Sequence, residues 1–422
     1  MALEVVRRVT EDHAYSTLTM AAALDRSGLE GRDRALATEL GYGTLRRLRS
    51  LDWAIAPHVS RPLDRVTPRA LAFLRLGAYQ LLFTRTPDHA AVSETVGLAR
   101  GGERGFVNAV LRSLAANPPE WPTGSDDRSI AVRTGIEPWA VAELRLVLPD
   151  QGEVAGAAEA LAGRASLCLR TNTCRTSGEE LEGALRQAGF DPRRGGLYEG
   201  SLLVDEASPG RLPGFHEGWF TVQDQSSAFV VQALDPQPGD RVLDACAGPG
   251  GKATHAVCLL GDDGLVVAAD VSPARARLVS NLARRLGAPA RVLVQDARRP
   301  ALRGPFDRIL VDAPCSGLGA ARRRPELLWR PARDDLSRLA RLQVAIAAGA
   351  ADLLRKGGRL VYSVCTYPRA ETDAACRGIL RHRPDLEPEP IEGPDGAAER
   401  IRLWPHRHDS DAMFVAAFTR VR

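Results

Sequence analysis

The chain has 422 residues, 44% hydrophobic and 26% charged, an ordinary globular composition whose length suggests about two to four domains. Its 56 basic and 52 acidic residues leave a net charge of +4, too small by itself to imply a nucleic-acid partner. There is no run of about 18 uncharged apolar residues, and the opening "MALEVVRRVTEDHA" lacks the apolar block of a secretory signal, so a cytoplasmic protein is expected.

In chain order, residues 1–116 read as helices throughout: "ALEVVRRV", "DRALATELGYGTLRRLRSLDWAI", "PRALAFLRLGAYQLLF" and "FVNAVLRSLAA" repeat apolar residues at three- and four-residue steps. This predicts an all-α module over 1–122. The stretch "ANPPEWPTGSDDRS" from Ala116 to Ser129 concentrates Pro, Gly, Ser and Asp and reads as a linker. A small α+β module over 123–222 follows, with helices at "EPWAVAELRLVL" and "SGEELEGALRQAG" and strands at "SLCLRTN" and "GSLLVDE". From about Gln223 short β-rich runs alternate with helical stretches: "RVLDA", "GLVVAAD", "ARVLVQD", "FDRILVDAP", "GGRLVYSVC" and "MFVAAFTRV". That alternation predicts an α/β domain over 223–422, a doubly wound parallel sheet with helices on both faces.

In such sheets ligands bind beyond the carboxyl ends of the strands. Asp244, Asp270, Asp296, Asp312, Cys315 and Cys365 all fall at or just past those ends. "RVLDACAGPGGKATH" sets a glycine-rich turn between a strand and a helix, where backbone N–H groups approach a ligand closely. Gly248, Gly250 and Ala253 also satisfy the loose dinucleotide pattern, so a nicotinamide-dependent oxidoreductase is a rival reading. A P-loop is excluded, because Cys246 stands at its first glycine and Ala253 follows Lys252. Asp270 is placed to accept from two ribose hydroxyls, a feature common to NAD and S-adenosylmethionine, and Asp296 to meet an adenine amino group.

Seven cysteines, at 168, 174, 246, 258, 315, 365 and 376, include no C-x-x-C pair, which predicts free thiols instead of a disulfide framework or a zinc cage. Cys168, Cys174, Cys258 and Cys376 read as small buried hydrophobes. Cys315 and Cys365 each follow a strand on the cofactor-bearing edge. A thiolate beside a methyl donor suits one chemistry well: addition to carbon 6 of cytosine makes carbon 5 nucleophilic enough to take an electrophilic methyl group. Carbon 5 must then lose its proton and the thiol must be eliminated, which gives a second cysteine work.

These residues resemble the RNA 5-methylcytosine methyltransferases of the Sun and NSUN type, in "DACAGPGGK", "DAPCSGLG", "RRRPELLW" and "YSVCTYP". The N-terminal segment is similar to a NusB-like RNA-binding domain in "DRALATELGYGTLRRLRSLD", "LRLGAYQLL" and "FVNAVLRSL", and "LRTNTCRTSGEEL" with "GWFTVQDQSS" looks like that family's linker domain. The combination points to a bacterial enzyme methylating a cytosine of 16S ribosomal RNA. The resemblance implies Cys365 as nucleophile, Cys315 as the residue assisting breakdown of the adduct, and Asp312 at the cytosine ring or the methyl donor. It implies an S-adenosylmethionine site in Cys246, Ala247, Gly248, Pro249, Gly250, Gly251 and Lys252 with Asp270, Asp296 and Asp312. Lys252 would reach into the active site, which explains one of only two lysines, with Lys356, among 56 basic residues.

Three positions depart from the family pattern: V-C-T replaces T-C-S, "PRAE" stands for "PEEN", and Leu328 occupies a common arginine position. They place contacts around the site in question more than the chemistry. The target base must be single-stranded or flipped out of a duplex. Between Ala320 and Arg341 seven arginines face three acidic residues; Arg322 to Arg324 are expected to hold phosphates near the target, or else to lie on a solvated helix face. A non-catalytic reading is a NusB-type RNA-binding or transcription factor whose C-terminal domain is a scaffold. No metal site is expected, His406 and His408 reading as a surface pair, and the family suggests a monomer.

Overall fold

The structure, a computed structural model, describes residues 1–205 and 208–422. The chain divides into one unit of Met1–Gly163 with Ala321–Pro331 and another of Arg164–Ala320 with Ala332–Arg422. The boundaries expected after residues 122 and 222 fall inside these units. Among the described residues no helix is long and apolar enough to cross a membrane.

The first unit is helical: α1 (Ala2–Glu11), α2 (Ser16–Ser27), α3 (Gly31–Arg46), α4 (Leu48–Ile55), α5 (Pro68–Phe83), α6 (Asp88–Leu98), α7 (Glu103–Ala116), α8 (Asp127–Thr134), α9 (Pro138–Val147) and α10 (Glu153–Leu161). The single helix expected from Asp33 to Ile55 breaks at Arg47, whose φ of −97° and ψ of 11° fall outside helical values. The start of α5 is fixed locally, because the Thr67 hydroxyl accepts from the Ala70 N–H and Pro68 supplies a preset φ. Val5, Val6, Val9, Met20, Leu24 and Leu45 bury one apolar face, and Leu51, Phe73, Leu74, Val107, Leu111 and Leu114 another.

Residues 321–331 belong to this helical unit although they lie in sequence among the catalytic motifs. The Trp329 indole donates to Leu45 O at 3.0 Å, and Arg330 Nη2 donates to Val9 O and Ala14 O at 2.9 Å. Leu328 is buried and its carbonyl accepts from the Glu137 N–H at 3.0 Å. This corrects the expectation of a solvated face at Arg322 alone, Arg323 and Arg324 being half-exposed. Arg322 is buried, its carbonyl accepts from Arg46, and the Arg324 guanidinium lies 5.0 Å from the centre of the Tyr15 ring. Charge density alone could not reveal that Arg322 is buried.

The second unit begins with an antiparallel sheet of β1 (Leu167–Thr171), β2 (Arg193–Arg194), β3 (Ser201–Val204) and β4 (Phe220–Val222), in the order β2-β3-β1-β4. The strand expected through Glu206 is β3, and Glu206 itself lies outside the described residues. Helix α11 (Gly178–Gln187) starts in a capping box between Ser177 and Glu180. Cys174 and Cys258 form a disulfide across 84 positions, which corrects the expectation of free thiols; spacing along the chain gave no sign of a pair that only folding brings together. Cys168 and Cys376 are free and buried, as expected.

The large sheet comprises β5 (Arg241–Asp244), β6 (Leu265–Asp270), β7 (Arg291–Val294), β8 (Phe306–Asp312), β9 (Leu354–Val364), β10 (Leu386–Glu389), β13 (Arg400–Leu403) and β14 (Met413–Arg420), while β11 (Ile391–Gly393) and β12 (Gly396–Ala398) pair separately. Its order is β10-β14-β9-β8-β5-β6-β7, with β13 also on β14. The five strands from β9 to β7 are parallel and β14 runs antiparallel to β9, so the expected doubly wound sheet carries an antiparallel edge. Helices α12 (Gln225–Leu234), α13 (Gly251–Leu260) and α14 (Pro273–Leu286) cover one face. Helices α15 (Asp335–Ala351) and α16 (Asp373–His382) cover the other, and α17 (Pro405–His408) precedes β14. His406 and His408 are half-buried instead of a surface pair; His408 Nδ1 accepts from the Trp404 N–H at 2.9 Å.

Candidate active site

Strands β5, β6 and β8 close on Asp244, Asp270 and Asp312, and β9 ends one residue before Cys365, so the sheet brings these residues to one edge. The turn from β5 into α13 needs its glycines. Gly250 has φ of 113°, and a Cβ on Gly248 would lie 2.7 Å from both the Asp270 carboxylate and Arg275. Asp270 accepts from the Gly248 N–H at 3.0 Å and the Ser272 N–H at 2.9 Å, and pairs with Arg275 at 3.3 Å. Asp296, two residues past β7, is gripped by Arg298, whose hydrogen bonds hold its carboxyl below the ordinary range. Arg275 was not singled out from sequence; its only signal was its place in the helix start that follows Asp270.

Three features of this edge fit S-adenosylmethionine. The glycine cradle leaves backbone within reach, Asp270 and Asp296 place carboxylates at and just past the ends of β6 and β7, where a bound nucleoside would meet them, and buried polar atoms lack protein partners. Both amide atoms of Gln295 and Oδ2 of Asp244 are of this last kind. Burial, and next the charge of Asp312, raise the Asp244 carboxyl to about 7.

Around the cysteines the packing is tight. Lys252 Nζ lies 2.8 Å from Asp312 Oδ2, and Ser363, the register partner of Asp312 on β9, donates to Oδ1 at 2.8 Å. Burial pulls the Lys252 pKa down, but the charge and hydrogen bond of Asp312 outweigh it and leave it raised. The sulfurs of Cys315 and Cys365 are 3.4 Å apart. Contact with Cys365 and then burial push the Cys315 thiol well above its ordinary range, so it keeps its proton at neutral pH.

Buried Glu371 braces this pair. It accepts from the Ser316 N–H at 2.9 Å and the Ser316 hydroxyl at 2.5 Å, and from Gln343 Nε2 at 2.9 Å. Ser316 in turn meets Thr366 at 2.7 Å, and Tyr362 donates to Gln343 at 3.0 Å and to Glu371 O at 2.7 Å. Glu371 ends the "PRAE" departure noted in the sequence, and these contacts are the ones that the departure placed in question. Ser363 and Gln343 escaped the sequence reading because nothing in their local pattern marks them, and Glu371 entered it only as part of that departure, with no role of its own.

A doubly wound sheet with an antiparallel strand inserted next to β9, a glycine cradle and strand-end carboxylates defines the class: a Rossmann-like, S-adenosylmethionine-dependent methyltransferase. Residues 231–419 match the family described as 16S rRNA methyltransferase RsmB/F, and residues 1–116 match the NusB family. The ribosomal RNA small subunit methyltransferase B of Yersinia enterocolitica is 34% identical over 415 residues, covering 96% of this chain and 94% of its own. A Bacillus subtilis protein named a probable ribosomal RNA small subunit methyltransferase B is 33% identical over 451 residues, covering 99% and 97%. Among solved structures, that of PH0851 shares 25% identity with a TM-score of 0.86 and covers 99% of this chain and 97% of its own. That of NSun6 from Pyrococcus horikoshii with SFG has the same fold at 22% identity, with a TM-score of 0.60 over 67% of this chain and 98% of its own. The chain belongs to the RsmB/F family of ribosomal RNA methyltransferases and carries a NusB domain.

Proposed function

We propose that the enzyme methylates carbon 5 of a cytosine in 16S ribosomal RNA through a covalent adduct between Cys365 and carbon 6. The observation that carries this reading is the pair of thiols 3.4 Å apart beside the Lys252–Asp312 ion pair. When bound, S-adenosylmethionine supplies an electrophilic methyl group from the seat formed by Cys246 to Lys252, Asp270 and Asp296. The Cys365 thiolate forms a bond to carbon 6, and the electron pair of the 5,6 double bond becomes available at carbon 5, which takes the methyl group. Asp312, held by Lys252 and Ser363, accepts a hydrogen bond from the cytosine amino edge. Carbon 5 then gives its proton to a solvent water, the 5,6 double bond re-forms and the carbon 6–sulfur bond breaks. Cys315, still protonated, donates to the departing sulfur. The helical domain (1–122) and the α+β segment (123–222) supply RNA-binding surface, and the enzyme acts as a cytoplasmic monomer.

The test is to mix Cys315→Ala with small-subunit ribosomal RNA and S-adenosylmethionine and run a denaturing gel. A protein–RNA adduct is expected that disappears in the Cys315→Ala/Cys365→Ala double variant, and its crosslinked base identifies the target. An adduct that survives loss of Cys365 would exchange the two roles. Methylation by the wild type with no adduct from any variant would remove the covalent route.

A further inference from the structure

We propose that Gln223, held by the buried Arg170, donates its side-chain amide to the carboxylate of the bound methyl donor; this rests on the reading of the glycine turn as the donor's seat. Arg170 on β1 is fully buried, and no carboxylate pairs with it among the described residues. Its Nε donates to Gln223 Oε1 at 2.6 Å, and its Nη2 to Thr254 Oγ1 at 3.2 Å. Thr254 hands the connection on, donating to Gly250 O at 2.8 Å. A guanidinium buried against neutral groups is costly, and here burial lowers its pKa to about 10. What that cost secures is the orientation of two groups at the glycine turn.

Arginine has only donors, so the oxygen of Gln223 must face it and the amide nitrogen must face away. The carboxamide as a whole lies beside Gly251, the first residue of α13; a Cβ there would sit 3.5 Å from Gln223 Nε2 and 3.7 Å from its Oε1. Gln223 is only 8% exposed, and its Nε2 has no hydrogen-bond partner among the described residues. An unpaired donor on a side chain only 8% exposed thus stands at the amino end of a helix, where an anion is favoured. With adenine and ribose assigned to Asp296 and Asp270, the anionic part left on S-adenosylmethionine is its methionyl carboxylate. Lys252 is already paired with Asp312 at 2.8 Å, which leaves neutral donors to receive it.

The test is calorimetric titration of the full chain with S-adenosylmethionine and with 5′-methylthioadenosine, which keeps the adenosine and sulfur but lacks the amino-acid end. Gln223→Ala should weaken S-adenosylmethionine about tenfold and leave methylthioadenosine unchanged. Gln223→Glu should weaken it further, because a carboxylate then faces a carboxylate. Arg170→Gln should match Gln223→Ala, and the double variant should add little; if Arg170→Gln does not fold, the Gln223 variants decide. Equal weakening of both ligands, or of neither, overturns the proposal. Asp270→Asn separates the two readings: it should weaken both ligands, and unchanged binding of both would mean that the seat itself is misassigned.

Discussion

Asp244, like Asp270 on the same edge, is only 2% exposed, and its unpartnered Oδ2 makes it a source of pH dependence. The folded protein holds this proton far more tightly than the unfolded chain, raising the group from 3.8 to about 7. The raised carboxyl therefore favours the folded state fully below the unfolded value, and that advantage is lost as pH rises towards 7. Asp244→Asn, which keeps the shape and removes the charge, should be more stable than the wild type above pH 7 by on the order of a few kcal/mol and unfold at a correspondingly higher temperature. The gap should close near pH 4, and thermal unfolding across that range checks it. At this scale the reacting groups were legible in the sequence, because cysteines at strand ends and a rare lysine stand out by type. Ser363, Glu371, Gln343 and Gln223 did not, since a serine or a glutamine acquires meaning only from what it touches.

Among the connecting elements, the loop from Asp312 into "CSGLG" determines how the two cysteines meet. Gly319 N–H donates to Cys365 O at 3.0 Å, and Gly319 O accepts from the Ala412 N–H at 3.0 Å. A Cβ on Gly319 would overlap the carbonyl oxygen of Ala412, so the loop must shift if any side chain is added there. Gly319→Ala should cost about 1–3 kcal/mol and slow methylation at least tenfold. Donor binding should be unchanged, because the cradle at Gly248 and Gly250 lies on another loop. Single-turnover methylation together with donor titration checks both parts. Strand and helix positions were legible because their periodicities are strong. The antiparallel placement of β14 beside β9 was not, because pairing between strands distant in sequence leaves no local pattern.

For the whole molecule, the feature with most consequence is that Ala321–Pro331 folds as part of the helical unit. Leu328 is 1% exposed there, so Leu328→Ala should destabilise that unit by about 2–4 kcal/mol. Hydrogen exchange should show lost protection in helices α1 to α5, while β5, β6 and β8 stay protected. Protection lost first in the large sheet would contradict the assignment. It also explains why Leu328 is tolerated where the family commonly has arginine: the side chain is packed away from water, where an unpaired guanidinium would be costly.

By itself the sequence determined the class of each half of the chain, the glycine cradle and the two strand-end cysteines that the proposal above makes reactive. Those features depend on local periodicity, backbone freedom and side-chain chemistry, each confined to a few neighbouring residues. Only the tertiary structure decided that Cys174 and Cys258 pair, that Arg322 is buried and Arg330 reaches Val9 and Ala14, and that Glu371 braces the cysteine loop while Arg170 holds Gln223. These contacts join residues from about 50 to more than 300 positions apart. Their existence depends on the free energy of the whole packed chain, to which no short stretch of sequence gives access.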